Sequence, residues 1–168
     1  VFFYYKVREV GDLGSQEVIR IDQFGNSAVI MVAAWDPFNL HSFHERVSEW
    51  AKQNLTENCV RMAAYLDLRG VSVSKLAESD LRRFIMQRSA VADATRDIPI
   101  AVHVNNLAAY GVVRMFGILA ELSGLRKESS IFPTLSQDEA AAWMAPLVGS
   151  DDPEQLGRWL SSNLERSL

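Results

Sequence analysis

Three nearly continuous apolar runs, at residues 28–34, 60–68 and 98–104, constrain this chain more than any other feature. A strand covered on both faces reads as such a run, because neither set of side chains meets water. Each run is followed by a segment whose apolar residues recur at helical spacing. Leu40, Phe43, Val47, Trp50 and Ala51 follow the first, and Leu76, Leu81, Phe84, Ile85 and Val91 the second. The third precedes a segment, 107–123, that is apolar over a wide arc. Buried strands alternating with helices imply right-handed crossovers and a mostly parallel or mixed sheet. The expected fold class is α/β.

Shorter signals fill in the rest. Residues 17–24 alternate, "FGNS" at 24–27 supplies a turn, and the pair with 28–34 reads as a β-hairpin. Residues 1–9 are aromatic and β-branched, which predicts one strand more before it. Asp36 is the expected cap of the first helix, with Pro37 at its first position. Asn105 and Asn106 are placed to cap the helix 107–123, and Gly124 to end it. A short strand is expected at 129–132, then a helix capped by Ser136 with Glu139 at the capping-box position. The predicted order is β-β-β-α-β-α-β-α-β-α. The chain divides into a domain at 1–148 and an amphipathic helix at 149–168, with Leu156, Trp159, Leu160 and Leu164 along one stripe. A stripe holding a tryptophan must be covered, by the chain's own core or by a partner subunit.

Composition narrows the function classes. At 168 residues one domain with a sizeable core is expected. A net charge of −4 argues against nucleic acid, which selects a basic face. A single cysteine, Cys59, allows no internal disulfide and fits a reducing, cytoplasmic setting. No apolar run is long enough to span a bilayer, and 1–10 lacks the pattern of a secretory signal. The sequon Asn54-Leu55-Thr56 therefore reads as accidental.

Four stretches, "WDPFNLHSFHERVSEWA", "YLDLRGVSV", "AAYGVVRMFGILAEL" and "IFPTLSQDEAAAWM", resemble the STAS-like, SpoIIAA-like family of small bacterial proteins. The resemblance covers about residues 17–144. It implies a mixed sheet with crossover helices chiefly on one side, related to anti-sigma-factor antagonists and similar in layout to CRAL-TRIO lipid carriers. The N-terminal hairpin belongs to that layout, and the C-terminal helix is an addition. The resemblance implies binding more than catalysis. In the phospho-switched antagonists the strand-to-helix turn ends in Asp-Ser-Ser/Thr-Gly, whose second hydroxyl takes the phosphate. Aligned on Asp67 to Val71, that tetrad falls on Lys75, Leu76, Ala77 and Glu78, and none of the four matches. The usual phospho-acceptor is missing.

Other chemistry has thin support in the residues. Ser72 and Ser74 stand near the turn; Ser74 reads as a helix cap, or as a hydroxyl whose phosphate would face a helix N-terminus. His41 and His44 are three apart on one helix, where a metal would need a third ligand, and exposed histidines are the simpler account. Cys59 has no activating motif, and no nucleophile elbow or phosphate-binding glycine loop is present. No catalytic residue, metal or cofactor is assigned.

The leading expectation is a non-enzymatic regulatory module working through contacts with a protein partner, or with copies of itself as a homo-oligomer. Its contact residues would be Arg69, Ser72, Ser74 and Lys75 at the turn and Leu156, Trp159 and Leu160 on the last helix. The alternative is a carrier or sensor of a small apolar, lipid-like ligand. Its pocket would lie between the helix 107–123, the helix 76–94 and the sheet, lined by Tyr110, Met115, Phe116 and Leu119, with Arg114 at the edge. Plain core packing is the competing account of the same helix.

Overall fold

The computed structural model describes residues 17–54, 61–89 and 97–165. The strand expected at 1–9 and Cys59 lie outside them. Strand β1 (Glu17–Phe24) and β2 (Ser27–Trp35) form the expected antiparallel hairpin, closed by Gly25 and Asn26. Gly25 has a φ of +58°, which a residue with a Cβ resists. Then β3 (Met62–Gly70), β4 (Ile100–His103) and β5 (Ile131–Thr134) add in parallel, giving the mixed order β1-β2-β3-β4-β5.

Because the parallel strands follow sequence order, right-handed crossovers place every connecting helix on one face. Helices α1 (Leu40–Asn54), α2 (Glu78–Ser89) and α3 (Leu107–Leu122) are those connections. Phe43, Trp50 and Ala51 of α1 and Ala109 and Val113 of α3 share a core with Ile30, Val32, Ala64, Leu68 and Val102 of the sheet. Phe84 and Ile85 of α2 pack with Ala120 of α3 and Leu40 of α1. A half-buried ion pair ties α1 to the sheet edge: the exposed Arg46 donates through Nε and Nη2 to the buried Glu17 carboxylate, with Nη2 at 2.8 Å from Oε2.

The opposite face is covered too. The strand period of two turns Val29, Met31, Ala63, Tyr65 and Ala101 away from the first core. Helices α4 (Gln137–Met144) and α5 (Pro153–Glu165) close over them through Ala140, Ala141, Met144, Leu156, Leu160 and Leu164. The resemblance implied helices chiefly on one side; five apolar side chains on the second face need their own cover, and the last two helices provide it. The stripe of α5 is thus spent within the chain. Leu156 and Leu160 are fully buried, while Trp159 sets an edge on Phe24 at 5.4 Å between ring centres.

Several local expectations shift. Helix α1 begins at Leu40, and its cap is Asn39, whose Oδ1 accepts from the Ser42 N–H at 2.9 Å. Asp36 instead accepts from the Ser72 N–H at 3.1 Å and from its hydroxyl at 2.5 Å. Ser74 caps no α-helix: it lies in a 3-10 turn, Val73–Lys75, and α2 begins only at Glu78. Asn106 and Ser136 do cap α3 and α4. Glu139, however, accepts from the Thr134 hydroxyl rather than closing a capping box. No helix among the described residues is long and apolar enough to cross a membrane.

Leu160→Ala leaves a void under α5, and large-to-small changes at such sites cost about 2–5 kcal/mol. Urea denaturation should show a midpoint lowered accordingly with an unchanged slope. At Gly70 a Cβ would stand 2.8 Å from Trp35 Cβ and 3.1 Å from the Ala34 carbonyl. Gly70→Ala should therefore destabilise the end of the β2–β3 pair, by about 1–3 kcal/mol in the same measurement.

Candidate functional site

An apolar cavity lies between the sheet and the three crossover helices. Its volume is about 170 Å³. Ile30, Val32, Ala64, Leu66, Val102 and Ile131 form the floor, where β-branched and aliphatic side chains stand up from the strands. Phe43 and Val47 of α1, Phe84 of α2, and Val113 and Phe116 of α3 form the roof. Val73 and Leu76 close the end near the β3 turn, and Leu125 closes part of the wall after α3. The lining is almost wholly apolar. Two nitrogen-bearing side chains reach it, His44 and Arg126. His44 Nδ1 lies 2.8 Å from the Ser48 hydroxyl, which also accepts from Arg88 Nη2 at 3.1 Å. Arg126 Nη2 donates to the Ile98 carbonyl at 3.1 Å.

The pocket expected beside α3 therefore lies in the expected layer, but on a different arc of the helix. Phe116 lines it; Met115, Leu119, Tyr110 and Arg114 do not. Leu119 packs toward α2, and Tyr110 packs against the main core beside the cavity. Arg114 is exposed. The lining residues of α3 are Val112, Val113 and Phe116, at the three- and four-residue spacing of one face. A helix apolar most of the way round gives no sign in its sequence of which arc meets the sheet, and Ile118 and Leu122 are left exposed.

The turn residues expected to meet a partner come together at the end of β3. Arg69 is half exposed and forks onto Asp67, with Nε at 3.0 Å and Nη2 at 2.7 Å from the two carboxylate oxygens. Burial raises the Asp67 pKa, but the Arg69 side-chain and backbone hydrogen bonds outweigh it and hold the carboxyl below its ordinary range. Ser74 and Lys75 are exposed, and Ser72 is held by Asp36. That hydroxyl and backbone contact lowers the Asp36 pKa. Among the residues expected on the last helix, only Trp159 keeps an open edge.

The histidines are divided between the two sides of the sheet. His41 pairs with Glu45 at 3.2 Å on the outside of α1, and His44 turns inward to the cavity. His103 lies on the opposite sheet face, buried. Among the described residues no three His, Cys, Asp or Glu side chains gather as a metal-binding group.

Sequence reasoning passed over one arrangement, the pair Tyr65 and His103. Tyr65 is fully buried, and its hydroxyl lies 2.6 Å from His103 Nδ1. A His103 N–H is directed to the Leu135 carbonyl, which can only accept. A neutral imidazole has one N–H, so Nδ1 is the acceptor and Tyr65 the donor. Burial and then the Arg69 charge lower the His103 pKa, and burial, reinforced by Asp67, raises that of Tyr65. The register that sets Asp67 against His103 and Tyr65 against Ala101 was the missing information, since the two residues are 38 apart in sequence.

No family model, curated protein or solved structure matches the chain. The geometry alone carries the functional argument.

The Tyr65–His103 pair makes a pH prediction. A histidine whose folded pKa lies below its unfolded value, about 6.5, binds fewer protons in the folded state. Its stabilising contribution is complete above that pH and is lost as pH falls through the folded value. Protonation would also set a new Nδ1–H against the Tyr65 O–H. Unfolding free energy measured from pH 7 to 5 should fall, and the fall should flatten in His103→Gln. Tyr65→Phe leaves Nδ1 buried without its donor and should cost about 1–3 kcal/mol at pH 7.

Proposed function

We propose that this chain binds a small apolar ligand between its sheet and its crossover helices, as a carrier or a sensor. The cavity is the observation that carries this reading. Protein interiors close to crystal-like density, and voids much larger than a water molecule are few. An apolar cavity of roughly 150 Å³ stays dry and admits a benzene-sized guest. The cavity here is about 170 Å³, is partly open to solvent, and is lined by aliphatic and aromatic side chains. Apolar lining with few polar groups is also the general composition of small-molecule sites.

A STAS-like interaction module is the second reading. The exposed cluster of Arg69, Ser74 and Lys75 beside the Asp36–Ser72 contact supports it, because a pinned turn presents these groups in a fixed arrangement. Light scattering of the full chain tests its homo-oligomer form: a mass above that of one chain, reduced by Arg69→Glu with Lys75→Glu, supports it, and a single-chain mass removes it.

Native mass spectrometry beside a denaturing run tests the ligand reading. Freshly purified protein should carry extra mass that disappears on denaturation. Ala64→Leu fills the floor of the cavity from the middle of β3. That variant should lose the extra mass while its unfolding free energy holds or rises by about 0.5–2 kcal/mol, as cavity-filling changes do.

A further inference from the structure

We infer that the ligand of this cavity is a planar, uncharged aromatic molecule of about the size of an indole, an inference that rests on the apolar-ligand reading above. Two walls of different character support it. The floor is aliphatic and stands on strands, with Ile30, Val32, Val102 and Ile131 presenting branched side chains. The roof holds rings: Phe38, Phe43, His44, Phe84 and Phe116. Those rings already meet one another obliquely, Phe38 with Phe43 at 5.1 Å, His44 with Phe84 at 5.1 Å, and Phe84 with Phe116 at 5.9 Å between centres. Tilted rings leave both edges and faces turned toward a guest, and an aromatic guest gains from edge-to-face or offset contact with them. A flexible chain gains no such directional contact and loses rotamer freedom when confined.

Size points the same way. A void of about 170 Å³ exceeds the roughly 150 Å³ that takes benzene by only a small margin. It suits one or two fused rings better than a long acyl chain.

Charge is disfavoured by the wall. Among the described residues, no side chain lining the cavity has a buried polar atom without a hydrogen-bond partner. The nitrogen-bearing groups at the wall are turned to protein partners, Arg126 Nη2 to the Ile98 carbonyl and His44 to Ser48, and the rest of the lining is hydrocarbon. A carboxylate brought inside would lose its water against a nearly hydrocarbon surface.

Methyl-detected NMR of the full chain reads the cavity directly through Ile30, Val102, Val113 and Ile131. Indole, benzoate and decanol are the probes: a neutral planar ring, a charged planar ring and a neutral chain. The expected result is that indole shifts these methyl signals with an affinity at least about tenfold above that of either other probe. Ala64→Leu should abolish those shifts. Tighter binding of benzoate overturns the uncharged assignment, and tighter binding of decanol overturns the planar one; both leave an apolar-ligand site standing. Failure of all three probes to shift the cavity methyls overturns the inference together with the reading beneath it. Shifts that persist unchanged in Ala64→Leu place the probes elsewhere and overturn both as well.

Discussion

The central strands β2 and β3 carry apolar side chains on both faces, and a strand cannot turn its second face away from the first. Ile30 and Val32 point to one side, Val29 and Met31 to the other, and Ala64 and Tyr65 repeat the division next door. Water must be kept from both. The crossover helices are confined to one face by the sequential strand order, so they cannot serve the other. Two helices after β5 are required for that purpose, and this requirement accounts for the packing of α4 and α5. The same division separates the cavity from the Tyr65–His103 pair.

The two faces are closed with different tightness. Beneath α4 the contacts come from alanines and a methionine, with Ala140, Ala141 and Met144 having essentially no exposed surface, and α5 adds Leu156, Leu160 and Leu164. Small residues let a helix approach the sheet closely. On the other face α3 comes close to β5, with its Ala109 and Gly117 buried, while phenylalanines and branched aliphatics of α1, α2 and the sheet line the cavity between them. The half-buried ion pair of Glu17 with Arg46 fixes α1 at the sheet edge rather than filling the space beneath it. Removing Arg46 is the costly change, because the Glu17 carboxylate would stay buried without its partner.

The α/β class, the hairpin and the strand–helix alternation were legible because they follow from periodicity, and the caps at Asn106 and Ser136 followed from residue chemistry. A cavity does lie in the layer where the sequence placed the alternative ligand pocket. The identity of its lining was not legible: α3 is apolar at Tyr110, Met115 and Leu119 as well as at Val112, Val113 and Phe116, and only packing selects among them. Asp36 and Ser74 misled for a related reason. Both have the chemistry of a cap, but Asp36 accepts from the backbone and hydroxyl of Ser72, 36 residues further along the chain, and the 3-10 turn carries Ser74 away from the start of α2. Tyr65 and His103 became partners only through strand register, which no local pattern encodes.

The strand order has a consequence for how the chain is made. Each βα unit docks on the one before it, so the sheet can grow in step with synthesis, from β1 toward β5. Its second face has no such cover along the way. Val29, Met31, Ala63 and Ala101 are fully covered only once both α4 and α5 have left the ribosome, since Leu156, Leu160 and Leu164 are part of their cover. A nascent chain of this protein therefore passes through a stage with a finished sheet and a bare apolar side, the kind of surface that chaperones bind and that associates with its own kind.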